Sequence, residues 1–221
     1  MVESTGPPPS ESISTQRPLL VIVEGHNDFE FILRLAARLR IELPELPDVR
    51  ALCAEGQMAV VLLGGGSPAT WPHRVAALGC REFHLYDREQ EPETQERILA
   101  LERLEARPGC RGVITTKRSL ENYLHPQAIV AAGGGAVEFG DHDSVARLLA
   151  QQRSSLATTD WNTLPFRSQR RAIAKAKRWL NTVAVEQMTL TLLAERDPTG
   201  ELLGWFYMLQ QLLARKLAPP A

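Results

Sequence analysis

The chain has 221 residues, 44% of them hydrophobic and 23% charged, with 25 Lys and Arg against 26 Asp and Glu for a net charge of −1. That length suits one domain of about 100–150 residues with an extension, or two small domains, and the even charge argues against a protein that coats nucleic acid by bulk charge while leaving room for a local basic face. Cys53, Cys80 and Cys110 form no C-x-x-C pair, which argues against a disulfide framework or a structural zinc, and no apolar run approaches the roughly 20 residues a membrane helix needs.

Residues 1–17 are rich in Pro and Ser, carry no apolar pattern and read as a flexible tail rather than a signal peptide. The composition points to a reduced, cytoplasmic, soluble protein with no membrane partner. Residues 18–130 read as an α/β unit. Leu19–Val23 is a short β-branched strand, followed by polar Glu24–Asp28 and a helix from Phe29 to about Arg40, where Phe29, Ile32, Leu33, Ala36 and Ala37 recur at helical spacing. The same sentence repeats: a strand over Ala59–Leu63 ending in Gly64, Gly65 and Gly66, with a helix-like segment reaching Leu78. A third strand, Glu82–Tyr86, ends in Asp87 and precedes a helix from about Glu93 to Ala106. A fourth, Gly112–Thr116, precedes a helix from about Ser119. Strands without strict alternation, separated by helices, predict a parallel sheet covered on both faces, with chemistry beyond the carboxyl ends of its strands. Residues 131–142 read as a loop. The remainder, 143–221, reads as a helical extension with helices over Asp143–Gln152, Arg167–Glu195 and Glu201–Lys216.

Position singles out the acidic residues. The first strand delivers Glu24, the third delivers Asp87 with Glu89 two residues on, and Asp28 returns one helical turn later toward the same rim. Carboxylates gathered at one rim repel each other unless a cation or a proton intervenes, and an oxygen-only set suits a hard divalent ion. The competing reading is local: Asn27 or Asp28 would cap the helix that starts at Phe29. Gly64, Gly65 and Gly66 could cradle a phosphate or serve as a flexible turn. Lys117 and Arg118 could neutralise a phosphate or be a solvated pair. Residues 147–180 hold eight basic residues against Asp160 alone. Arg171, Lys175 and Arg178 share one helix face that either tracks a phosphate backbone or is simply the wet side of the helix. His26, His73, His84, His125 and His142 have no ligand spacing.

Val23-Glu24-Gly25-His26-Asn27-Asp28, the Gly-rich second strand end, Leu85-Tyr86-Asp87-Arg88-Glu89 and Lys117-Arg118-Ser119-Leu120-Glu121-Asn122-Tyr123-Leu124 together resemble a TOPRIM domain. The nearest variety is that of overcoming-lysogenization-defect (OLD) family nucleases, and the resemblance spans roughly Leu19–Val130. It implies a Rossmann-like domain with a mainly parallel central sheet flanked by helices, followed here by a helical extension. It also implies divalent-metal-dependent cleavage of nucleic acid, DNA before RNA, with Mg²⁺ or Mn²⁺ held by Glu24, Asp28, Asp87, Glu89 and Glu121 in a one- or two-metal site. Two features depart from the family. Its Asp-x-Asp is here Asp87-Arg88-Glu89, and no G-x-x-x-x-G-K-[ST] loop occurs, so ATP control is expected from a separate ATPase chain or not at all. The rival expectation is a non-catalytic binding or regulatory module. A phosphatase using Asp87 as nucleophile is a third, weakened because Glu89 stands where that chemistry wants a second Asp.

Overall fold

The computed structural model describes residues 17–64, 71–88, 91–157 and 160–215. The expected tail (apart from Arg17), Gly65, Gly66 and Glu89 lie outside them. Four parallel strands form the sheet: β1 (Leu19–Val23), β2 (Met58–Leu62), β3 (Arg81–Tyr86) and β4 (Cys110–Ile114), in the order β2-β1-β3-β4. The chain runs outward from β1 to β2, then crosses back to β3 on the other side of β1. The crevice where the winding reverses therefore opens between the carboxyl ends of β1 and β3.

The two central strands are buried along their whole length, whereas β2 and β4 are only partly covered. Leu19, Val21, Val23, Phe83 and Leu85 face the larger core, into which α1 (His26–Leu39) places Phe31, Ile32, Leu35 and Ala36. Tyr123, Ala128, Leu149, Leu180, Trp205 and Phe206 join the same core, so the C-terminal helices and the sheet share one interior. Leu20, Ile22 and Tyr86 face the other side, toward Leu63, Cys80 and Leu101. Leu101 lies on α4 (Glu93–Glu105), the crossover from β3 to β4.

β3 alternates polar and apolar residues although both its faces are buried, and the polar ones are satisfied in two ways. Arg81 reaches under α9 (Glu201–Ala214) and donates to the carbonyls of Leu212, Leu213 and Arg215 at 2.7, 2.8 and 2.9 Å, taking up orphan acceptors of the helix end. On the opposite face Glu82, His84 and Tyr86 form a ladder. His84 Nε2 lies 2.9 Å from Glu82 and Nδ1 lies 2.6 Å from the Tyr86 hydroxyl, while Arg107 closes the far end on Glu82. In the neutral ring the Nε2–H donates to the carboxylate and Nδ1 accepts from the tyrosine.

The sequence and structure differ in instructive places. The helix expected from Phe29 starts three residues earlier, at His26, because Asp28 accepts from the Gly25 N–H at 2.8 Å and closes the first turn. A helix not expected from sequence, α2 (Val49–Ala54), is capped by Asp48. Among the described residues, the segment after β2 holds the short α3 (Trp71–Arg74) and a 3₁₀ turn at Ala76–Leu78. The helix expected from Ser119 is a 3₁₀ turn, Leu120–Tyr123, followed by α5 (Pro126–Ala131), since Pro126 can open a helix but not continue one. Beyond α6 (Val145–Leu156), the single helix expected over Arg167–Glu195 breaks into α7 (Phe166–Trp179), a π turn over Leu180–Ala184, a 3₁₀ turn over Val185–Gln187 and α8 (Leu190–Arg196). Asn181 and Thr182 donate side-chain hydrogen bonds to the carbonyls of Lys177 and Arg178, competing with the backbone where the helix widens. Among the described residues no helix is long and apolar enough to cross a membrane.

Burial holds the His84 imidazole below its usual pKa. For Glu82 burial pushes upward, but the hydrogen bonds from His84 and Arg107 prevail and hold it below the carboxylate range. An unfolded chain protonates His84 near pH 6.5 while the folded one resists, so stability falls as pH drops below about 6.5. Calorimetry of His84→Gln is expected to show a smaller Tm loss between pH 7 and 5 than the wild type, by about 2–4 °C.

Candidate functional site

The carboxyl ends of β1 and β3 place Glu24 and Asp87 side by side, and the Asp87 N–H donates to Glu24 Oε1 at 3.1 Å. Arg97, reaching up from α4, binds both Glu24 oxygens and the Asp87 carbonyl, so one guanidinium holds the two strand ends together. Glu24 is thereby turned toward a cation, with its side chain 24% exposed. Burial nevertheless holds its pKa above the ordinary carboxylate value, with Arg97 opposing and Asp28 adding to the rise.

Asp28, buried, divides its two oxygens between two tasks. Oδ2 accepts from the N–H of the N-cap Gly25, from the third position of α1 rather than as the N-cap that the local reading expected, and Oδ1 faces the rim. Glu121 arrives from the far side of β4. The Thr115 N–H donates to the Tyr86 carbonyl at 3.0 Å, the Arg88 N–H donates to Thr115 Oγ1 at 2.7 Å, and the chain then folds back over the sheet end. Tyr123 accepts the Thr116 N–H at 3.1 Å and donates to Glu201 at 2.6 Å, and Asn122 donates to the carbonyls of Gly140 and Asp143. These bonds fix the 3₁₀ turn that presents Glu121, whose Oε2 accepts from Ser119 at 2.6 Å and whose Oε1 accepts from Asn181.

At the focus of these acids lies a residue that the sequence reading counted only within a basic stretch. Lys177 Nζ stands 4.0 Å from Asp28 Oδ1, 4.0 Å from Asp87 Oδ2 and 3.7 Å from Glu121 Oε1. Three carboxylates from α1, the end of β3 and the turn after β4 thus share one ammonium group from α7. The partners' charge, Glu121 foremost, raises the Lys177 pKa and keeps the side chain charged. Burial pushes Asp28 up and Asp87 well up from the ordinary carboxylate value, opposed by Lys177 and reinforced by the neighbouring acids. A signal for Lys177 exists in the sequence. It lies off the face of Arg171, Lys175 and Arg178, on the stripe of Ile173 and Leu180 with Asn181 one turn on, where a solvated lysine is out of place.

The structure brings together Glu24, Asp28, Asp87 and Glu121, with Arg97, Lys177 and Asn181 added to them. Glu89 lies outside the described residues. Among the described residues no three His, Cys, Asp or Glu side chains are drawn together as a ready metal shell. The donor set itself, carboxylate oxygens around one cation position, has the chemistry that a hard divalent ion requires.

The residues expected at phosphate divide differently. Gly64, two residues beyond β2, has φ 65°, and Gly65 and Gly66 lie outside the described residues. Lys117 is buried, 2.6 Å from Asp141 and 5.5 Å from the Tyr123 ring centroid. Its ammonium is therefore paired with an acid of this chain. Arg118 is held by the 141–142 loop, through its N–H to Asp141 and its guanidinium to His142. Arg171, Lys175 and Arg178 are exposed on α7.

Removing the shared cation leaves three carboxylates facing one another in a buried site. Lys177→Met, studied in EDTA, is expected to lower Tm by about 4 °C or more at pH 8, and by less at pH 5 where protons replace the lost charge. An equal loss at both pH values, by calorimetry, would contradict this account.

No family model matches the chain, and no curated protein matches it in sequence. A solved structure, the C-terminal region of the OLD protein of Xanthomonas campestris pv. campestris, is similar to it with a TM-score of 0.51 and 15% identity, covering 91% of this chain and 98% of that one. At that identity the likeness establishes a shared fold.

Proposed function

We propose that the chain is a divalent-cation-dependent nuclease that hydrolyses phosphodiester bonds, in DNA before RNA, with a TOPRIM-like site at the crevice between β1 and β3. The observation that carries this reading is the set of three carboxylate oxygens, from separate segments, within 4.0 Å of the Lys177 ammonium. Such a set is costly to assemble by burial alone and is suited to a strong positive charge. The TOPRIM resemblance and the shared fold with an OLD protein region support it.

Asp28, Asp87 and Glu121 would hold Mg²⁺ or Mn²⁺, with Glu24 and Glu89 beside them. When bound, the ion supplies positive charge to the scissile phosphate and lowers the pKa of water. Lys177, 35% exposed and on a flexible stem, would offer its ammonium to a phosphate oxygen when another cation meets the carboxylates. Glu24, held above the usual carboxylate pKa and fixed by Arg97, would take or return a proton at the reacting water or leaving oxygen. Arg171, Lys175 and Arg178 would bind the phosphate backbone. Among the described residues none of the three has a carboxylate within 4.0 Å.

A second reading rests on the same geometry. Lys177 and Arg97 already pair with all four acids, as a non-catalytic binding or regulatory module, acting with a separate ATPase chain, would require. Calorimetric titration with Mn²⁺ separates the two: binding heat that vanishes in Asp87→Asn supports the nuclease, and no heat supports the module.

With Mg²⁺ or Mn²⁺ and plasmid, linear and single-stranded substrates, Glu24→Gln, Asp87→Asn and Lys177→Met are each expected to lower the cleavage rate about 100-fold or more. Cleavage that persists in all three would place the activity elsewhere. Replacing Arg171, Lys175 and Arg178 together with Ala is expected to weaken DNA binding and flatten its log–log salt dependence by about 2–3 units.

A further inference from the structure

Helix α7 carries six basic residues and no acidic one; Lys177 meets the carboxylate cluster, and Arg167, Arg170, Arg171, Lys175 and Arg178 are exposed on its surface. At its start stands Phe166, 73% exposed, the most exposed large aromatic side chain among the described residues. An aromatic ring left in water at that extent contributes nothing to the core and costs apolar exposure. The Arg170 guanidinium lies over the Phe166 ring, 5.9 Å from its centroid, at the outer reach of a cation–π contact.

The spacing gives these two side chains a direction. Phe166, Arg170 and Lys177 stand at i, i+4 and i+11, and 11 residues make just over three whole turns. All three therefore lie on one stripe, which starts at the exposed ring and ends at the ammonium among the carboxylates. Arg171, Lys175 and Arg178 lie roughly a third of a turn or more round the helix from that stripe, so two tracks of positive charge run side by side. Along the axis Phe166 lies about 16 Å from Lys177, up to roughly five nucleotides at the 3.4 Å spacing of a stacked strand.

A duplex hides the faces of its bases, and a phosphate backbone alone would need no aromatic ring. A flat exposed ring topped by an arginine, set in a basic strip with no acid, matches what holds an unpaired base: stacking on the face and charge on the adjoining phosphate. We propose that Phe166 and Arg170 form a stacking platform for an unpaired base of single-stranded DNA, a few nucleotides along the strand from the phosphate that Lys177 would meet once a divalent ion holds the carboxylates. This deepens the nuclease reading and rests on it for the identity of the ligand. The site then takes its substrate as a single strand or an opened end rather than as intact duplex.

The test uses the full chain in EDTA, so that binding is read without cleavage. Fluorescence anisotropy with labelled oligothymidylate, oligouridylate and a blunt DNA duplex compares wild type with Phe166→Ala, Phe166→Trp and Arg170→Ala. Phe166→Ala is expected to weaken oligothymidylate binding about tenfold or more, to leave duplex affinity within about twofold, and to leave the salt slope unchanged; Phe166→Trp restores the affinity. Arg170→Ala is expected to weaken single-strand binding and lower the salt slope by about 0.7, the value for one phosphate contact. Because Phe166 is exposed, these variants are expected to keep the wild-type Tm. The proposal is overturned if Phe166→Ala binds oligothymidylate like wild type, or loses single-strand and duplex affinity alike. Tighter binding to oligouridylate would overturn the assignment to DNA, and Phe166-dependent binding to phosphatidylserine vesicles without oligonucleotide binding would overturn the assignment to nucleic acid. Phe166-dependent binding with no cleavage in Mn²⁺ would sink the nuclease and leave the platform standing. Cleavage of single strands indifferent to Phe166 would do the reverse.

Discussion

The charge balance around Lys177 is the constraint from which the rest follows. Asp28, Asp87 and Glu121 come from three segments distant in sequence, and each is buried. Ionised carboxylates in such a place repel one another and lose hydration, and only a positive charge held among them makes the arrangement tolerable. That charge comes from α7, in the C-terminal part of the chain. The rim of the sheet and the helices after residue 143 are therefore bound by electrostatics as well as by their shared apolar core.

A separate group manages the fourth acid. Arg97 holds Glu24 and the Asp87 backbone, so the strand ends stay in register at the crevice whatever the state of the neighbouring carboxylates. Two cations on two helices thus divide the acids between them. Arg97 is nearly buried and serves as a fixed strut, whereas Lys177 is more open and has room to swing. This division suits a site in which one acid keeps its position while the others exchange one positive partner for another.

Much of the sheet was legible because its strands are short apolar runs set between helical patterns, and the acids at their carboxyl ends follow from the topology of a parallel sheet. Glu24, Asp28 and Asp87 could be placed on one rim for that reason. Glu121 needed the family resemblance, since nothing local says that the chain folds back after β4. The basic partner was legible only in part. Lys117 and Lys177 look alike in sequence, but Asp141 captures the first from a loop whose path the sequence does not reveal, while the helix phase of the second carries it to the acids. The long helix expected through Glu195 failed at Asn181 and Thr182, whose side chains take carbonyls from the ladder. Helical periodicity registers apolar spacing and is blind to that competition.

Arg81 gives the molecule a pole opposite the rim. Its guanidinium binds the carbonyls of Leu212, Leu213 and Arg215 and, at 3.2 Å, that of Arg17, so the backbone just before β1 and at the end of α9 meets at the first residue of β3. Asp87 stands at the other end of the same strand, about 20 Å away. The backbone at Arg17 and at Arg215 is thus rooted at the far side of the sheet from the acids, and one buried side chain ties the two together.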